Sequence, residues 1–239
     1  MKKILITAPL RQDADIFLEY QKGLDALEVP EGFEVSRFFV VNGCGQDLKD
    51  EIRDAEWTEA EIGDDYVKTA DDHLWNVGLM NKVGALRNMT IRKMLDGGFD
   101  YWFSVDTDLV LNPWTLYRLI EADRDIVSEI FWTKNWCNAW MHDQYSPPMP
   151  EWHRPGLYQV GMTGACTLVK RKVFEAGVDY TPIPNIRKAV FGEDRHFCIR
   201  AACHGFEIWA DSHCLPVHLY TEKHYNQYMA GELKTCFRK

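Results

Sequence analysis

Tyr101-Trp102-Phe103-Ser104-Val105-Asp106-Thr107-Asp108 decides how the chain is read. Aromatic and β-branched residues in a short run predict a buried strand, and this one stops at two carboxylates. Asp106 and Asp108 are two residues apart, so an extended backbone points both the same way. Carboxylates sharing one space repel each other unless a proton or a cation lies between them. Oxygen-liking divalent ions such as Mg2+ or Mn2+ suit that spacing and commonly share it with substrate phosphates. A solvated strand-to-loop turn is the plainer alternative, since Asp is common where strands end.

Outward from this strand, element signals alternate. Lys3–Ala8 is an apolar run stopped by Pro9, followed by Ile16, Phe17, Tyr20, Leu24 and Leu27 at helical spacing. Val35–Val41 predicts a second strand, closed by the turn residues Asn42-Gly43-Cys44-Gly45. Residues 46–80 are acidic and weakly patterned; Asp64-Asp65 and Asp71-Asp72 read as solvated surface. Asn81 is expected to cap a helix carrying Val83, Leu86, Thr90, Ile91 and Met94 inward, with Gly97-Gly98 ending it. After the central strand, Asn112-Pro113 marks a helix start and 125–131 a further strand. This alternation predicts an α/β fold with a mainly parallel sheet flanked by helices. Ligands of such sheets bind beyond the carboxyl ends of strands, here 9–11, 42–44 and 106–108.

The second half differs. Residues 132–156 hold Trp132, Trp136, Trp140, Tyr145 and Trp152 with four prolines, and predict a long irregular loop. Gln159–Lys170 reads as one small-residue-rich strand whose glycines permit close approach. Gly192-Glu193-Asp194 opens a helix ended by Gly205, where both carboxylates favour the positive helix start. Pro216–Tyr220 reads as another strand, with His218 in it. No linker or repeat divides residues 1–239, so one domain is expected.

Composition sets bounds. The 239 residues suffice for a large core, and 46% hydrophobic with 26% charged residues is ordinary for a globular chain. A net charge of −9 argues against non-specific nucleic-acid binding. No segment reaches the roughly 18 apolar residues of a membrane span. Residues 1–10 carry too short an apolar run for a signal peptide and read as a first strand. Seven cysteines without paired spacing favour a reducing compartment, so a cytoplasmic location is expected. His196, Cys198, Cys203, His204, His213, Cys214 and His218 show no tight zinc-ligand spacing; buried apolar cysteines are the simpler reading.

Three features stand in one order: Asp106-x-Asp108 after a strand, Glu193-Asp194 opening a helix, and His218. With Arg87-Asn88, Gly161-x-x-Gly164-Ala165-Cys166-Thr167-Leu168-Val169-Lys170-Arg171, Gly205 and Asp211, they resemble the GT-A glycosyltransferases. The likeness is to the large inverting family typified by bacterial polysaccharide and chitin synthases. It implies a single GT-A-like domain, with residues 1–131 binding the nucleotide-sugar and residues 132–239 the acceptor on a smaller sheet. It also implies metal-dependent transfer of a sugar to an acceptor hydroxyl, with Mn2+ or Mg2+ held by Asp106, Asp108 and His218. Asp194 matches the catalytic base, while Glu193 is expected to orient the acceptor or cap its helix. Pro9, Arg11, Asn42, Lys82, Arg87, Asp106 and Thr107 are the implied donor contacts. Asn42 stands where these enzymes usually carry a uracil-binding Asp, so UDP is favoured only weakly over other nucleotides. Trp136, Trp140 and Gly164 are the expected acceptor contacts. The acceptor is left open among a glycan, a protein, a small molecule and a modified base. Rival readings are a nucleotidyltransferase, whose glycine-rich basic loop is missing from residues 8–13, and a non-catalytic sugar- or nucleotide-binding module.

Overall fold

The computed structural model describes residues 1–60, 75–133, 136–140, 154–186 and 192–238. An eight-stranded sheet forms its centre, in the spatial order Leu157–Val160, Ile208–Asp211, Ile126–Glu129, Thr167–Lys170, Tyr101–Ser104, Lys2–Leu10, Phe33–Val41, Glu56–Glu59. Four neighbouring pairs run parallel and three antiparallel, giving a mixed, mainly parallel α/β sheet.

The quoted stretch lies inside that sheet because each of its faces is apolar. Tyr101 and Phe103 enter the core on one side with Phe17, Tyr20 and Phe39. Trp102 enters the other with Leu86, Met94 and Phe174. A strand buried on both faces needs such an unbroken apolar run. Trp102 also satisfies its indole by donating to Thr90 Oγ1 at 2.9 Å. The Ala14–Asp25 helix covers the first face with Phe17, Tyr20 and Leu24, and the Val77–Asp96 helix covers the second with Leu86, Ile91 and Met94.

Several boundaries differ from the sequence expectation. The long helix starts at Val77, capped by Asn76 Oδ1 accepting from Leu79 N at 2.9 Å, and Asn81 lies one turn inside. The unpatterned acidic region supplies a Gln46–Asp50 helix and the edge strand Glu56–Glu59. The expected Gln159–Lys170 strand is three pieces: Leu157–Val160, Met162–Thr163 and Thr167–Lys170. Cys166, at φ 61°, turns the chain between the last two. Its final piece enters the middle of the sheet antiparallel to both neighbours.

The described part of the aromatic stretch holds short strands. Trp132–Thr133 pairs with Trp136–Cys137, and Ala139–Trp140 pairs with Met162–Thr163. Tyr145, Trp152 and the acidic pairs at 64–65 and 71–72 lie outside the described residues. Farther on, Val217–His218 pairs with Leu109–Val110, and Leu219 N donates to Asp108 O at 2.7 Å. Cys236–Phe237 pairs in turn with Cys214–Leu215. All seven cysteines are free thiols. No helix among the described residues is long and apolar enough to cross a membrane.

Candidate active site

Among the described residues, cavities open at the carboxyl ends of the parallel strands. One, of about 300 Å³, lies beyond the first two strands and is lined by Arg11, Gln12, Asp13, Gly43, Cys44 and Asp47, among others. The Arg11 guanidinium lies over Gly43, with Nη1 3.6 Å from where a Cβ would stand. Pro9 and Asn42 are half-buried at the neck of this region, Asn42 N donating to Leu10 O at 3.0 Å. Neither they nor Lys82, half-buried on the long helix, is among the residues lining this cavity or the larger one described next.

The second cavity, of about 610 Å³, gathers most of the sequence-predicted residues. Asp106, Asp108, Gly164, Asp194, His218, Trp136 and Trp140 all line it. The strand pairing just described sets His218 beside Asp108, with Nε2 3.3 Å from Oδ2. Its other ring nitrogen, Nδ1, is 3.1 Å from Thr133 Oγ1 and 3.3 Å from Trp132 O. Burial alone would lower the imidazole pKa, but Asp108's charge and hydrogen bond outweigh it and the net shift is upward.

Asp194 approaches from the opposite half of the chain, at the start of the Asp194–Cys203 helix. Gly164 makes room for it: a Cβ there would stand 3.0 Å from Asp194 Oδ2. Burial first, then the adjacent Glu193 charge, push the Asp194 carboxyl well above the ordinary aspartate range, and Arg87 opposes them. That direction suits a group meant to accept a proton near neutrality.

Arg87 is placed differently from the expected nucleotide contact. It is buried, and its guanidinium is spent inside the protein: Nε on Glu193 Oε1 at 3.1 Å, Nη1 on Ser104 Oγ at 2.6 Å, and Nη2 on Asp106 Oδ1 at 2.9 Å. Burial opposes its charge, but the surrounding Asp106, Asp194 and Glu193 more than offset that. Glu193 is correspondingly buried and makes no side-chain cap on its helix, so it serves as the partner of Arg87. Thr107 is buried between the two carboxylates and lines neither cavity.

Sequence reasoning missed Trp75, Thr133, Asn138 and Tyr220, which also line the larger cavity. Asn138 is the informative omission. Its amide accepts from Phe131 N at 2.9 Å and donates to Glu129 O and Ala165 O at 3.2 and 3.3 Å. It thereby ties three chain segments at the cavity floor, and a lone Asn between Cys137 and Ala139 carries no sequence signal for that.

Which ions fit can be asked of the donor set. Two carboxylates and one imidazole accept Mn2+ or Mg2+, and the water or phosphate ligands of such ions complete a partial protein set. Among the described residues no three His, Cys, Asp or Glu side chains form a ready cluster. Arg87 holds one oxygen of Asp106, leaving Asp108 and His218 as the closest pair.

No family model matches the chain, and no curated protein sequence is similar to it. Solved structures are. The mannosyltransferase PcManGT from Pyrobaculum calidifontis, in complex with GDP-Man and Mn2+, matches with a TM-score of 0.58 at 13% identity. The match covers 94% of this chain, which spans 59% of that enzyme's length. Rv0371c from Mycobacterium tuberculosis H37Rv matches with a TM-score of 0.51 at 12% identity, over 96% of this chain and 98% of that one. Sheet order, mixed strand directions and these likenesses together show that the chain has the GT-A fold of nucleotide-sugar glycosyltransferases.

Proposed function

We propose that this protein transfers a sugar from a nucleotide-sugar to an acceptor hydroxyl, with Asp194 as general base and inversion at the anomeric carbon. The observation that carries the reading is convergence: Asp108 with His218 and, from a separate helix, Asp194 line one cavity. A displacement needs both, one part for the leaving phosphate and another for the attacking oxygen.

Asp108 and His218, with Asp106 beside them, would hold Mn2+ or Mg2+. When bound, such an ion neutralises the diphosphate charge that builds as the sugar departs. Arg87 keeps Asp106 in place from behind. The smaller cavity at Arg11 and Gly43 is the place for the nucleoside end of the donor. UDP is the first candidate and GDP the second, because the structurally similar mannosyltransferase was solved with GDP-Man.

In the step itself the acceptor oxygen forms a bond to the anomeric carbon as the carbon–oxygen bond to phosphate breaks. The electron pair leaves with the nucleoside diphosphate, and the acceptor proton goes to an Asp194 oxygen. A base on the face away from the diphosphate gives inversion.

A panel of nucleotide-sugars tests the proposal, monitored for slow hydrolysis with Mn2+ and with chelator. One donor should lose its sugar only with metal, and NMR should show the anomeric configuration inverted. Release of pyrophosphate from a nucleoside triphosphate would instead favour the nucleotidyltransferase reading. No turnover with any donor, alongside tight nucleotide or sugar binding, would point to a binding module.

A further inference from the structure

Arg87 carries a full charge at a position only 3% exposed. Its bonds to Ser104, Asp106 and Glu193 leave from one planar guanidinium, so the three acceptors share a rigid frame. The Tyr180 ring centre lies 5.6 Å from the same group. Beside it, Asn88 Oδ1 accepts from Tyr180 N at 2.9 Å. Gly84, on the same helix, lets these segments close up: a Cβ there would stand 3.2 Å from Tyr180 O and 3.4 Å from Glu193 Cβ.

Stability is a weak reason to keep such a network. Apolar side chains of similar volume fill a core without the cost of desolvating charges. What a fork of directed bonds adds is geometry. Arg87 is not among the residues lining the two cavities described above, so it stands behind them. Asp106, which lines the larger cavity, gives the guanidinium its Oδ1. Glu193, bonded on the other side, is covalently next to Asp194. A continuous chain of bonds therefore runs behind the cavity, from the carboxylates of the proposed metal side to the proposed base. Charge follows the same path: burial and then Glu193 raise the Asp194 pKa, and Arg87 lowers it.

We propose that Arg87 is a positioning residue for transfer, setting from behind the cavity the separation of Asp106 and Asp194 and so the alignment of leaving phosphate and attacking oxygen. This rests on the glycosyl-transfer reading above. The substitution written there is unchanged: Arg87 touches neither substrate and exchanges no proton.

Three variants of the full chain test it. Arg87→Lys keeps the charge but loses the fork. Arg87→Met/Glu193→Gln removes the buried pair together, which spares the fold an unpaired charge. Ser104→Ala takes away one acceptor only, and guards against misfolding of the other two. Hydrolysis of the donor found in the screen is followed with Mn2+, together with calorimetry of Mn2+ and UDP or GDP. In Arg87→Lys and the double variant kcat should fall by about tenfold to a hundredfold, the scale of a misplaced reacting group. Donor KM and nucleotide affinity should stay within about threefold of wild type. Ser104→Ala should show the same split at about threefold in kcat. A normal kcat in a stable double variant would reduce Arg87 to a structural ion pair and overturn the proposal. A raised KM at unchanged kcat would make it a donor contact and overturn it equally.

Crystal structures of the wild-type and variant chains need no turnover. The separation of the Asp106 and Asp194 carboxyl groups should change by roughly half an ångström or more in Arg87→Lys. An unchanged separation overturns the proposal. A changed separation in a protein whose wild type hydrolyses no donor would remove the transferase reading and leave Arg87 as the link between the two carboxylates.

Discussion

Arg87 Nε lies 3.1 Å from Glu193 Oε1, both side chains almost wholly out of water, joining the helix before the Asp106 strand to the helix that begins with Asp194. The same guanidinium holds Asp106. One cation thus links the Asp106 carboxylate to the helix that carries the proposed base.

Breaking that pair by Arg87→Met leaves Glu193 buried beside Asp194 without its counter-charge. The expected loss is about 3–5 kcal/mol of stability, read by chemical denaturation. The double variant Arg87→Met/Glu193→Gln should recover a substantial part. Strict additivity of the two single effects would show that the ion pair is not the link.

Asp108→Ala removes one of the two closest candidate ligands. Calorimetry with the nucleoside diphosphate should show that Mn2+ no longer strengthens binding, and turnover should vanish. His218→Ala should weaken the metal requirement more than the affinity for metal-free nucleotide. Undiminished metal-dependent affinity in Asp108→Ala would place the ion elsewhere.

Asp194→Asn keeps the side-chain size but cannot take a proton at neutral pH. Donor affinity should survive while transfer falls by roughly 10²–10⁴. In the native protein Asp194 is raised, so it becomes a base only as pH climbs past the ordinary aspartate range. The acid limb of kcat/KM should accordingly lie above about pH 4. A limb at the ordinary value would assign that titration to another group.

Gly164→Ala introduces a Cβ within 3.0 Å of Asp194 Oδ2. Either the carboxylate or the strand must shift by a few tenths of an ångström. Transfer should fall by about tenfold or more with the melting temperature changed little, since misplacement of a reacting group is costly. A normal rate would show that Asp194 has freedom to move.

Glu129 and Asp211 sit opposite each other on neighbouring parallel strands, both buried. Burial and then the Asp211 charge push Glu129 well above the ordinary glutamate range. The folded state therefore holds that proton more tightly than the unfolded chain does. Stability from this site is intact below the ordinary glutamate pKa and declines as pH rises toward the raised one. Glu129→Gln should raise Tm at pH 8 by about 2–4 °C, what about 1 kcal/mol gives a chain of this size, and hardly at pH 4. An equal shift at both pH values would contradict the assignment.

Much of this was legible in residue order. The Tyr101–Asp108 run needs burial on both faces, so its place in the sheet followed from its side chains, and the positions of Asp106 and Asp108 followed from that place. Asp194 and His218 were found through resemblance; spacing alone does not bring residues 108 and 218 together. The Leu109–Val110 and Val217–His218 pairing that does so is only two residues long on each side. Arg87 was expected among the donor contacts; that its guanidinium is instead bonded to Ser104, Asp106 and Glu193 was not legible, because those partners come from elsewhere in the chain. The antiparallel entry of Thr167–Lys170 was hidden for a similar reason: strand direction depends on the turn at Cys166, not on apolar content.

That insertion has a bearing on how the protein is made. Tyr101–Ser104 and Ile126–Glu129 do not touch as sheet neighbours; Thr167–Lys170 lies between them and bonds to both. While a ribosome has released only residues 1–131, the nascent sheet has a gap down its middle and two open strand edges. Such edges invite pairing with other chains. Maturation of the centre waits on a segment translated some forty residues later, and the Asp108–His218 contact on one later still. Early intermediates should therefore recruit chaperones, and a pulse-chase protease assay should find protection arriving late and in one step.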